Sequence, residues 1–416
     1  MFKTFAKAWN IKDVRRRLIC IFIALLVYRL GAHVYLPAMD LNLIAAAKAG
    51  ITSQQSLFSI IAGGGYASIF ALGIGPYITA SIILQLLTVA IPKLEQIKKE
   101  GEEGRKKIDQ YTRITAILLS IMQGAGYVFT LKDMFVYKNM FVYFMALTAL
   151  VTGSIFVMWL GEFLNEFGIG NGSSFIIFAN ILSGLPTGIM SLYFYGSGAD
   201  IYNWIKVAVL VVLFVIIIGF VVWVQDGERR IPVQYSKKMV GQFAGNNNSY
   251  IPIKVNIAGV MSIIFAISLL QFPTTIHQIW KSAKLEKLIN FLSITNPWGT
   301  LIYIFLIFCF TFFYTSFAIN PIEMAENMKK NGGFIPGIRP GKSTSDYIQT
   351  TVDRLSWIGA VFYSIIAIMP VVFQWIFGFR VGFGGTTLLI VTGVALEIIK
   401  QLESQLLMRH YKGFLS

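Results

Sequence analysis

Residues 57–92 read LFSIIAGGGYASIFALGIGPYITASIILQLLTVAIP. This stretch is apolar and long enough to cross a bilayer, yet three glycines at 63–65 and Gly-Ile-Gly-Pro at 73–76 interrupt it. Glycine is unfavourable inside a helix, and proline lacks the backbone N–H and clashes with the preceding turn. Non-helical backbone at membrane depth is tolerated only where protein buries it or water reaches it. We therefore predict a short apolar half-helix, a hinge and a second span, all enclosed by the rest of the chain.

The composition favours a helical protein that crosses the membrane many times. Of the 416 residues, 56% are hydrophobic and only 13% are charged, whereas soluble domains carry about 25% charged residues. The apolar runs are continuous, which excludes the alternating pattern of an outer-membrane barrel. The two cysteines, Cys20 and Cys309, lie inside apolar runs, and the three histidines are far apart in the chain. These residues have no ligand spacing, so we predict neither a metal site nor a cofactor.

Ten segments of about bilayer length follow one another when the broken stretch is counted once. They cover residues 18–36, 57–92, 114–131, 141–164, 173–194, 205–224, 257–276, 301–319, 355–377 and 381–399. The termini and alternate loops on one side hold 26 of the 35 Lys and Arg residues, and the opposite loops hold 8. The positive-inside rule then places both termini in the cytoplasm. Arg29 lies within the first span, where it is either a functional group or a side chain that reaches the outer interface.

Two of the predicted cytoplasmic loops, 225–256 and 320–354, are larger than a simple connection requires. In the first, IPVQY and YIPIKV flank an Asn-rich turn, which predicts a protruding β-hairpin. The second is rich in Gly, Pro and basic residues, which is typical of a docking surface on a rigid scaffold.

The sequence lacks the groups that other classes of membrane protein need. The PGKST at 340–344 resembles the end of a phosphate-binding loop, but Pro336 occupies the position of the motif's first glycine. All 20 acidic residues lie in loops or near span ends, so no paired carboxylate is predicted at membrane depth. A secondary transporter with broken helices is the alternative, yet it requires a midplane ion or substrate site. A membrane enzyme is a third interpretation, and no catalytic constellation supports it.

Several motifs resemble the SecY family of bacterial protein-translocation channels. They are SIFALGIGPYITASIILQLL at 68–87, KKEGEEGRKKIDQYTR at 98–113, MWLGEF and GIGNG within 158–172, KVNIAGV at 254–260, NPIEMAENMKKNGGFIPGIRPG at 320–341 and FGGTTLLIV at 383–391. The resemblance extends from about residue 15 to about residue 402.

The resemblance implies an all-α polytopic membrane protein with ten transmembrane helices in two inverted halves. Residues 1–204 would form the half with spans 1–5, and residues 205–416 the half with spans 6–10 and the loops 225–256 and 320–354. Residues of about 57–68 would form a plug half-helix on the outer side, although a fixed re-entrant element remains the alternative. The plug residues are Phe58, Ile60, Ile61, Gly63, Gly64 and Gly65.

The resemblance also assigns three groups of site residues. The pore ring falls on Ile74, Ile78, Ser173, Ile177, Ile264 and Ile390. A serine is unusual at a ring position, so the ring residue there is either Ser173 or a neighbour such as Ile176. A lateral gate between spans 2–3 and 7–8 would contain Thr79, Gln123 and Asn256. Arg229, Arg230 and Arg339 would dock the SecA motor or the ribosome. Ordinary packing, or charge that only sets topology, is the alternative for each group.

The function implied is a protein-conducting channel without catalysis in the bacterial plasma membrane. It would translocate secretory proteins across the membrane and insert membrane proteins laterally. The partners implied are SecE-like and SecG-like small membrane subunits, the SecA ATPase, the ribosome, signal sequences with unfolded secretory polypeptides, and the lipid bilayer.

Overall fold

The computed structural model describes residues 11–40, 42–44, 67–196, 201–235, 249–279, 282–294, 296–377 and 385–412. Most of these residues are helical. The helices are α1 (Lys12–Gly31), α2 (Gly75–Ala90), α3 (Pro92–Lys99), α4 (Glu102–Thr130), α5 (Met140–Phe167), α6 (Gly172–Gly196), α7 (Ile201–Asp226), α8 (Met261–Ile279), α9 (Ala283–Leu292), α10 (Pro297–Ala318), α11 (Pro321–Lys330), α12 (Lys342–Phe377) and α13 (Gly385–Lys412). The strands are β1 (Glu228–Tyr235), β2 (Ser249–Lys254) and β3 (Gly333–Phe334).

A helix overlaps each of the ten predicted spans, but not all of these helices have the length and hydropathy of a simple span. Within the described ranges, five helices are long and apolar enough to cross a membrane. The count is six if α2 and α3, bent by 101° at Ile91, are one broken span. Helix α1 carries three consecutive arginines at 15–17, and α8 has 19 residues. The chain is a multi-pass membrane protein, and its ten spans remain a prediction.

The Gly-Ile-Gly-Pro interruption is the start of a helix, as the sequence predicts. Gly73 has φ +50°, a left-handed conformation that glycine adopts without strain. Helix α2 then begins at Gly75, with Pro76 in its first turn, where a missing N–H costs nothing. Upstream, Tyr35 and Ser68 form a β-bridge that joins this segment to the end of α1. The hinge therefore has a fixed local structure.

Close packing against α1 and α5 holds the hinge in place. The Phe70 ring stacks between the rings of Tyr28 and Phe156, with centroid distances of 5.8 and 5.7 Å. The Ser154 hydroxyl donates a hydrogen bond of 3.2 Å to the Gly73 carbonyl. Beside it, a Cβ atom at Gly153 would lie only 2.3 Å from the Ile69 carbonyl oxygen. Glycine at position 153 is therefore required for the hinge backbone to approach α5.

We expect Gly153→Ala to destabilise the protein by about 1–3 kcal/mol, the usual cost of overpacking a well-packed core. The added methyl group would meet backbone, which can move only if the hinge moves. The measurement is the midpoint of thermal unfolding in detergent. Gly219→Ala on α7 is the matched control, because a Cβ there meets nothing within 4 Å. Equal midpoints for the two variants would contradict this account.

The N-terminal helices α1–α6 meet the C-terminal helices α7–α13 along two seams. At one seam α2 and α4 contact α8, and at the other α6 contacts α7 and α13. The main hydrophobic core contains buried residues from both groups, such as Val157 on α5 and Ile264 on α8. The division into halves of five spans is compatible with these seams and remains a prediction.

The predicted hairpin is confirmed, and it is part of a small sheet. Strands β1 and β2 pair antiparallel from Glu228 opposite Lys254 to Val233 opposite Ser249, and β3 pairs with the other edge of β1. Ile231, Val233 and Ile253 pack beneath the sheet against α11 and α12. Segment 320–354 therefore is more than a loop, since it contains α11, β3 and the first turns of α12. We call this end of the molecule the sheet end.

Candidate functional site

Five of the six residues that the resemblance assigns to a pore ring share one apolar environment. Ile74, Ile177, Ile264 and Ile390 are buried in the main core, with at most 6% of each side chain exposed, and Ile78 packs against the same cluster while half-buried. We call these five residues the isoleucine cluster. They come from both sides of the seams: the start of α2, α6, α8 and α13.

Ser173, the sixth position, belongs to a helix cap. Its hydroxyl and its backbone N–H both donate to the Asn171 Oδ1 atom, at 2.6 and 3.0 Å. A side-chain oxygen placed in this way satisfies the free N–H groups at the start of α6. One turn later Ile176 is fully buried, and its Cδ1 atom approaches Gly161 from the same side as that of Ile74. Ile176 therefore packs beside Ile74 and supplies an aliphatic side chain one turn after Ser173.

An open cavity of about 1040 Å³ lies at the sheet end, and we call it the vestibule. Its lining includes four acidic residues, two arginines and several amides and aromatics. They are Tyr77, Arg105, Asp109, Arg113, Trp159, Glu162, Phe163, Asn165, Glu166, Gly170, Asn171, Glu397 and Gln401. Tyr77 also packs against the main core and precedes Ile78 in the chain. Tyr77 therefore joins the wall of the vestibule to the main core that contains the isoleucine cluster.

One ion pair crosses the vestibule wall, from α4 to α5. The Arg113 Nε atom donates to Glu162 Oε1 at 2.7 Å. Both side chains are partly exposed, so the pair contributes at most about 1 kcal/mol to stability. The pair places opposite charges side by side in the wall of the vestibule.

The Gly-Ile-Gly-Asn-Gly motif at 168–172 joins three helices beside the vestibule. The Gly168 carbonyl accepts a hydrogen bond of 3.1 Å from Arg17 at the start of α1. Gly170 has φ +91°, and the Gln401 side chain of α13 lies where a Cβ would stand. The N–H of Gly172 donates to Asn165 Oδ1 at 2.6 Å. These glycines permit close contacts between backbone and side chain, and the contacts explain why glycine recurs in this motif.

The structure does not bring the three predicted gate residues into one hydrogen-bonded group. Helices α4 and α8 lie in contact along the seam. The Thr79 hydroxyl donates within its own helix to the Gly75 carbonyl at 3.0 Å, and Asn256 Oδ1 accepts a hydrogen bond from Tyr363 of α12. Gln123 is half-buried on α4. Neither of these hydrogen bonds of Thr79 and Asn256 therefore crosses the seam.

A contact that sequence reasoning missed does cross this seam at the sheet end. The Lys98 Nζ atom on α3 lies 3.2 Å from the centroid of the Phe317 ring near the end of α10. Partial burial lowers the pKa of the Lys98 ammonium, and the positive charge of Arg105 adds to this shift. A cation over an aromatic face contributes about 0.5–1 kcal/mol at exposed sites. No local pattern in the chain could have paired two residues so far apart.

The two arginines predicted to dock a partner on β1 point to opposite faces of the sheet, since successive side chains alternate along a strand. Arg229 lines a groove of about 450 Å³ together with Asp346 and Arg354 of α12. Arg230 donates to Glu228 at 2.7 Å, and its guanidinium lies 4.9 Å from the centroid of the Tyr250 ring.

Arg339 is exposed on a turn with a well-defined backbone. Gly337 and Gly341 on either side of it have φ +80° and +105°. The Arg339 carbonyl accepts a hydrogen bond of 2.9 Å from the buried Thr344 hydroxyl. The loop backbone is therefore fixed while the guanidinium projects outward.

Two further predictions concern the opposite end of the bundle. The six plug residues lie outside the described residues, which resume at 67. Arg29 lies exposed in the last turn of α1, where a cation also favours the helix dipole. This position agrees with a side chain that reaches the interface.

In the described part of the chain, no group of His, Cys, Asp and Glu could hold a metal ion.

Comparisons with known proteins agree with one another. A sequence model of the SecY family matches residues 68–399. The chain is 40% identical to the protein translocase subunit SecY of Streptomyces coelicolor over 441 residues, and 40% identical to that of Bacillus subtilis over 434 residues, with 100% of each chain covered. These matches give no support to a secondary transporter.

The solved structures show the same fold. One described as a protein conducting channel has a TM-score of 0.65 at 19% identity, with 94% of this chain and 92% of that chain covered. Sec61 in the canine ribosome-channel complex from the endoplasmic reticulum has a TM-score of 0.62 at 18% identity, with the same coverage. The fold, the family model and the full-length relatives lead to one assignment. The chain belongs to the SecY family of protein translocase subunits.

Proposed function

We propose that this chain is the pore-forming subunit of a bacterial Sec translocon, a channel for unfolded polypeptides that carries out no catalysis itself. It resides in the plasma membrane with the sheet end and both termini in the cytoplasm. The one observation that carries the proposal is the vestibule, a polar cavity whose wall residue Tyr77 packs against the core that contains the isoleucine cluster. Water and ions enter such a cavity, and an apolar constriction stops them by dewetting.

The isoleucine cluster is the pore ring in this proposal, with Ile176 taking the place of Ser173. Residues of about 57–68 form the plug on the outer side. The ring seals the resting pore and then fits closely around a translocating chain. Aliphatic side chains suit this role because they contact any sequence without forming specific hydrogen bonds with it.

The lateral gate is the seam between α2 and α4 on one side and α8 and α10 on the other. Thr79, Gln123 and Asn256 supply polar groups to it, each worth little in the membrane. An apolar signal helix inserts there, separates the halves and shifts the plug. The second seam, at α6, α7 and α13, holds the halves together while the gate opens.

The partners follow from the exposed arginines and from the related structures. Arg230 and Arg339 are placed to pair with the carboxylates of a SecA motor or with ribosomal RNA phosphates. Two of the related structures are ribosome-bound channel complexes, one of canine Sec61 and one of yeast Ssh1. Arg229 borders the groove beside α12 and takes part in the same docking surface. Small SecE-like and SecG-like subunits cover part of the lipid-facing surface.

Disulfide trapping in reconstituted membranes tests the channel. One cysteine replaces Ile78, a second is placed in a stalled secretory precursor, and Cys20→Ser and Cys309→Ser remove the two native thiols. We expect a crosslink that requires both SecA and ATP. A cysteine at lipid-facing Ile216, which is 60% exposed on α7, is the control and should not crosslink. Absence of a crosslink at position 78 while SecA is bound would reject the proposed path.

The Lys98–Phe317 contact gives a separate test of the gate. We expect Phe317→Ala to favour gate opening about two- to fivefold, because about 0.5–1 kcal/mol is lost from the closed seam. The measurement is export of a precursor whose signal sequence has been weakened, which should rise by the same factor. Lys98→Gln should give the same increase, and the double variant should add nothing to it.

Phe305→Ala is the control, because this residue lies on the same helix but is 65% exposed on the apolar surface. Equal export by the Phe305 and Phe317 variants would show that the contact does not restrain the gate.

A further inference from the structure

Helix α9, Ala283–Leu292, lies between α8 and α10 at the end of the bundle opposite the sheet end. Its sequence is AKLEKLINFL, and at ten residues it is too short to cross a bilayer. Leu285, Ile289 and Leu292 lie along one face and are half-buried. This face packs towards α8 and α10, both of which contact α9.

A second face of α9 is exposed and has mixed character. Lys284, Lys287, Leu288 and Phe291 follow the spacing i, i+3, i+4 and i+7, which places them on one side of a helix. Leu288 is 43% exposed and Phe291 is 45% exposed, although both are apolar. The acidic Glu286 lies on the opposite side from Phe291. The helix therefore separates its positive charges from its negative charge, and it keeps the lysines beside the exposed apolar pair.

This combination matches the chemistry of a membrane interface. A helix that lies in the interface buries apolar side chains at the acyl boundary and directs lysines toward headgroup phosphates. The adjoining surface of α10 is also exposed and apolar, with Trp298, Leu301 and Phe305 each more than half exposed. Tryptophan is typical of the headgroup level. The exposed face of α9 thus continues the surface by which α10 would contact lipid.

The connection between α9 and α10 is tightly built. The Asn296 side-chain amide donates to the Asn290 carbonyl at 3.2 Å, and the Thr300 hydroxyl donates to the Ile294 carbonyl at 2.7 Å. A Cβ atom at Gly299 would lie 2.1 Å from the Ser293 carbonyl oxygen, so the two helix ends are in close backbone contact. These contacts couple the end of α9 to the first turn of α10.

We propose that α9 lies in the headgroup zone of the leaflet opposite the sheet end, binds anionic phospholipid through Lys284 and Lys287, and anchors α10 to that leaflet. The inference rests on the proposed function only in taking α10 as a gate helix. Leu288 and Phe291 insert at the acyl boundary. The bilayer itself is then one of the elements that hold the gate.

Depth-dependent fluorescence quenching tests the location of α9 in the full chain. A bimane probe is attached at Phe291→Cys, or at Glu286→Cys as the matched control, in the Cys20→Ser and Cys309→Ser background. The protein is reconstituted in vesicles of phosphatidylcholine and phosphatidylglycerol that contain lipid with a nitroxide near the top of the acyl chain. We expect several-fold stronger quenching at position 291 than at position 286.

The headgroup preference is measured with nitroxide-labelled phosphatidylglycerol and phosphatidylcholine at equal mole fractions. We expect the first lipid to quench position 291 more strongly, and Lys284→Gln with Lys287→Gln to abolish this preference. A lysine near an anionic surface favours association by roughly fivefold. A preference that survives in the double variant would overturn the assignment of the lysines.

Two outcomes would overturn the interfacial location. Weak lipid quenching at both 286 and 291, with strong quenching of both by aqueous iodide, would place α9 in water. Protection of position 291 from both nitroxide lipid and aqueous iodide would mean that protein covers this face. Precursor translocation by the unlabelled protein in the same vesicles is scored separately, so failure of the channel proposal is distinguishable from failure of this one.

Discussion

Ile177→Asn is expected to raise the ion conductance of the resting channel about tenfold. Ile177 is buried in the main core, so the substituted amide would lie among the apolar side chains of that core. An amide can contribute a hydrogen bond worth about 1–1.5 kcal/mol to a hydrated path. A barrier lowered by about 1.4 kcal/mol corresponds to a tenfold rate. The measurement is the conductance of purified protein in planar bilayers without precursor or motor.

Two control variants separate a wetted pore from a damaged fold. Ile177→Leu keeps an aliphatic side chain of the same size and should stay sealed. Ile216→Asn makes the same chemical change on the exposed surface of α7 and should also stay sealed. Ile176→Asn should leak as Ile177→Asn does if Ile176 replaces Ser173 in the ring. A conductance that rises equally in the Ile216 and Ile177 variants would reject the ring assignment.

The hinge could be predicted from sequence because its signals are local. Gly73 has a left-handed conformation, and Pro76 lies in the first turn of α2. Each residue constrains only the backbone within a few positions of it. The hairpin was predictable for the same reason, since two short β-prone runs flank turn residues in one loop. Both features result from backbone constraints that do not depend on the rest of the fold.

The small domain at the sheet end was only partly predictable. Strand β3 has two residues and gains its structure from pairing with Gln234 and Tyr235 of β1, far away in the chain. Helix α11 did have a signal that was overlooked: Asn320 caps it by accepting from the Glu323 N–H, and Pro321 follows the cap. The Gly, Pro and basic residues of segment 320–354 favoured the interpretation as a loop.

The site illustrates the same limit. The resemblance placed five isoleucines that indeed share one core, but it could not show that Ser173 turns toward Asn171 while Ile176 is buried. The Lys98–Phe317 contact depends on how α3 and α10 meet, which is set by tertiary packing alone. Side-chain direction at a helix start and contacts between distant helices are decided by the whole fold.

Arg339→Glu is expected to abolish precursor translocation without loss of stability. The guanidinium is exposed, whereas the loop is held by backbone, through the Thr344 hydrogen bond to the Arg339 carbonyl. Loss of one partner from a charge pair at a protein interface costs about 2–5 kcal/mol, so we expect docking to weaken by roughly 30-fold or more. The measurements are SecA affinity and ATP-driven translocation in vesicles, with the unfolding midpoint recorded in parallel.

Lys330→Glu is the matched control for this reversal. Lys330 is exposed in the last turn of α11, in the same segment 320–354, and its reversal makes the same change in net charge. If the whole positive surface attracts the motor without specific contacts, both variants should lose affinity equally, and high salt should remove the difference between wild type and variant. If Arg339 is a docking residue, only its variant should lose translocation. Thr344→Val should then give an intermediate loss, because it frees the loop backbone and leaves the guanidinium intact.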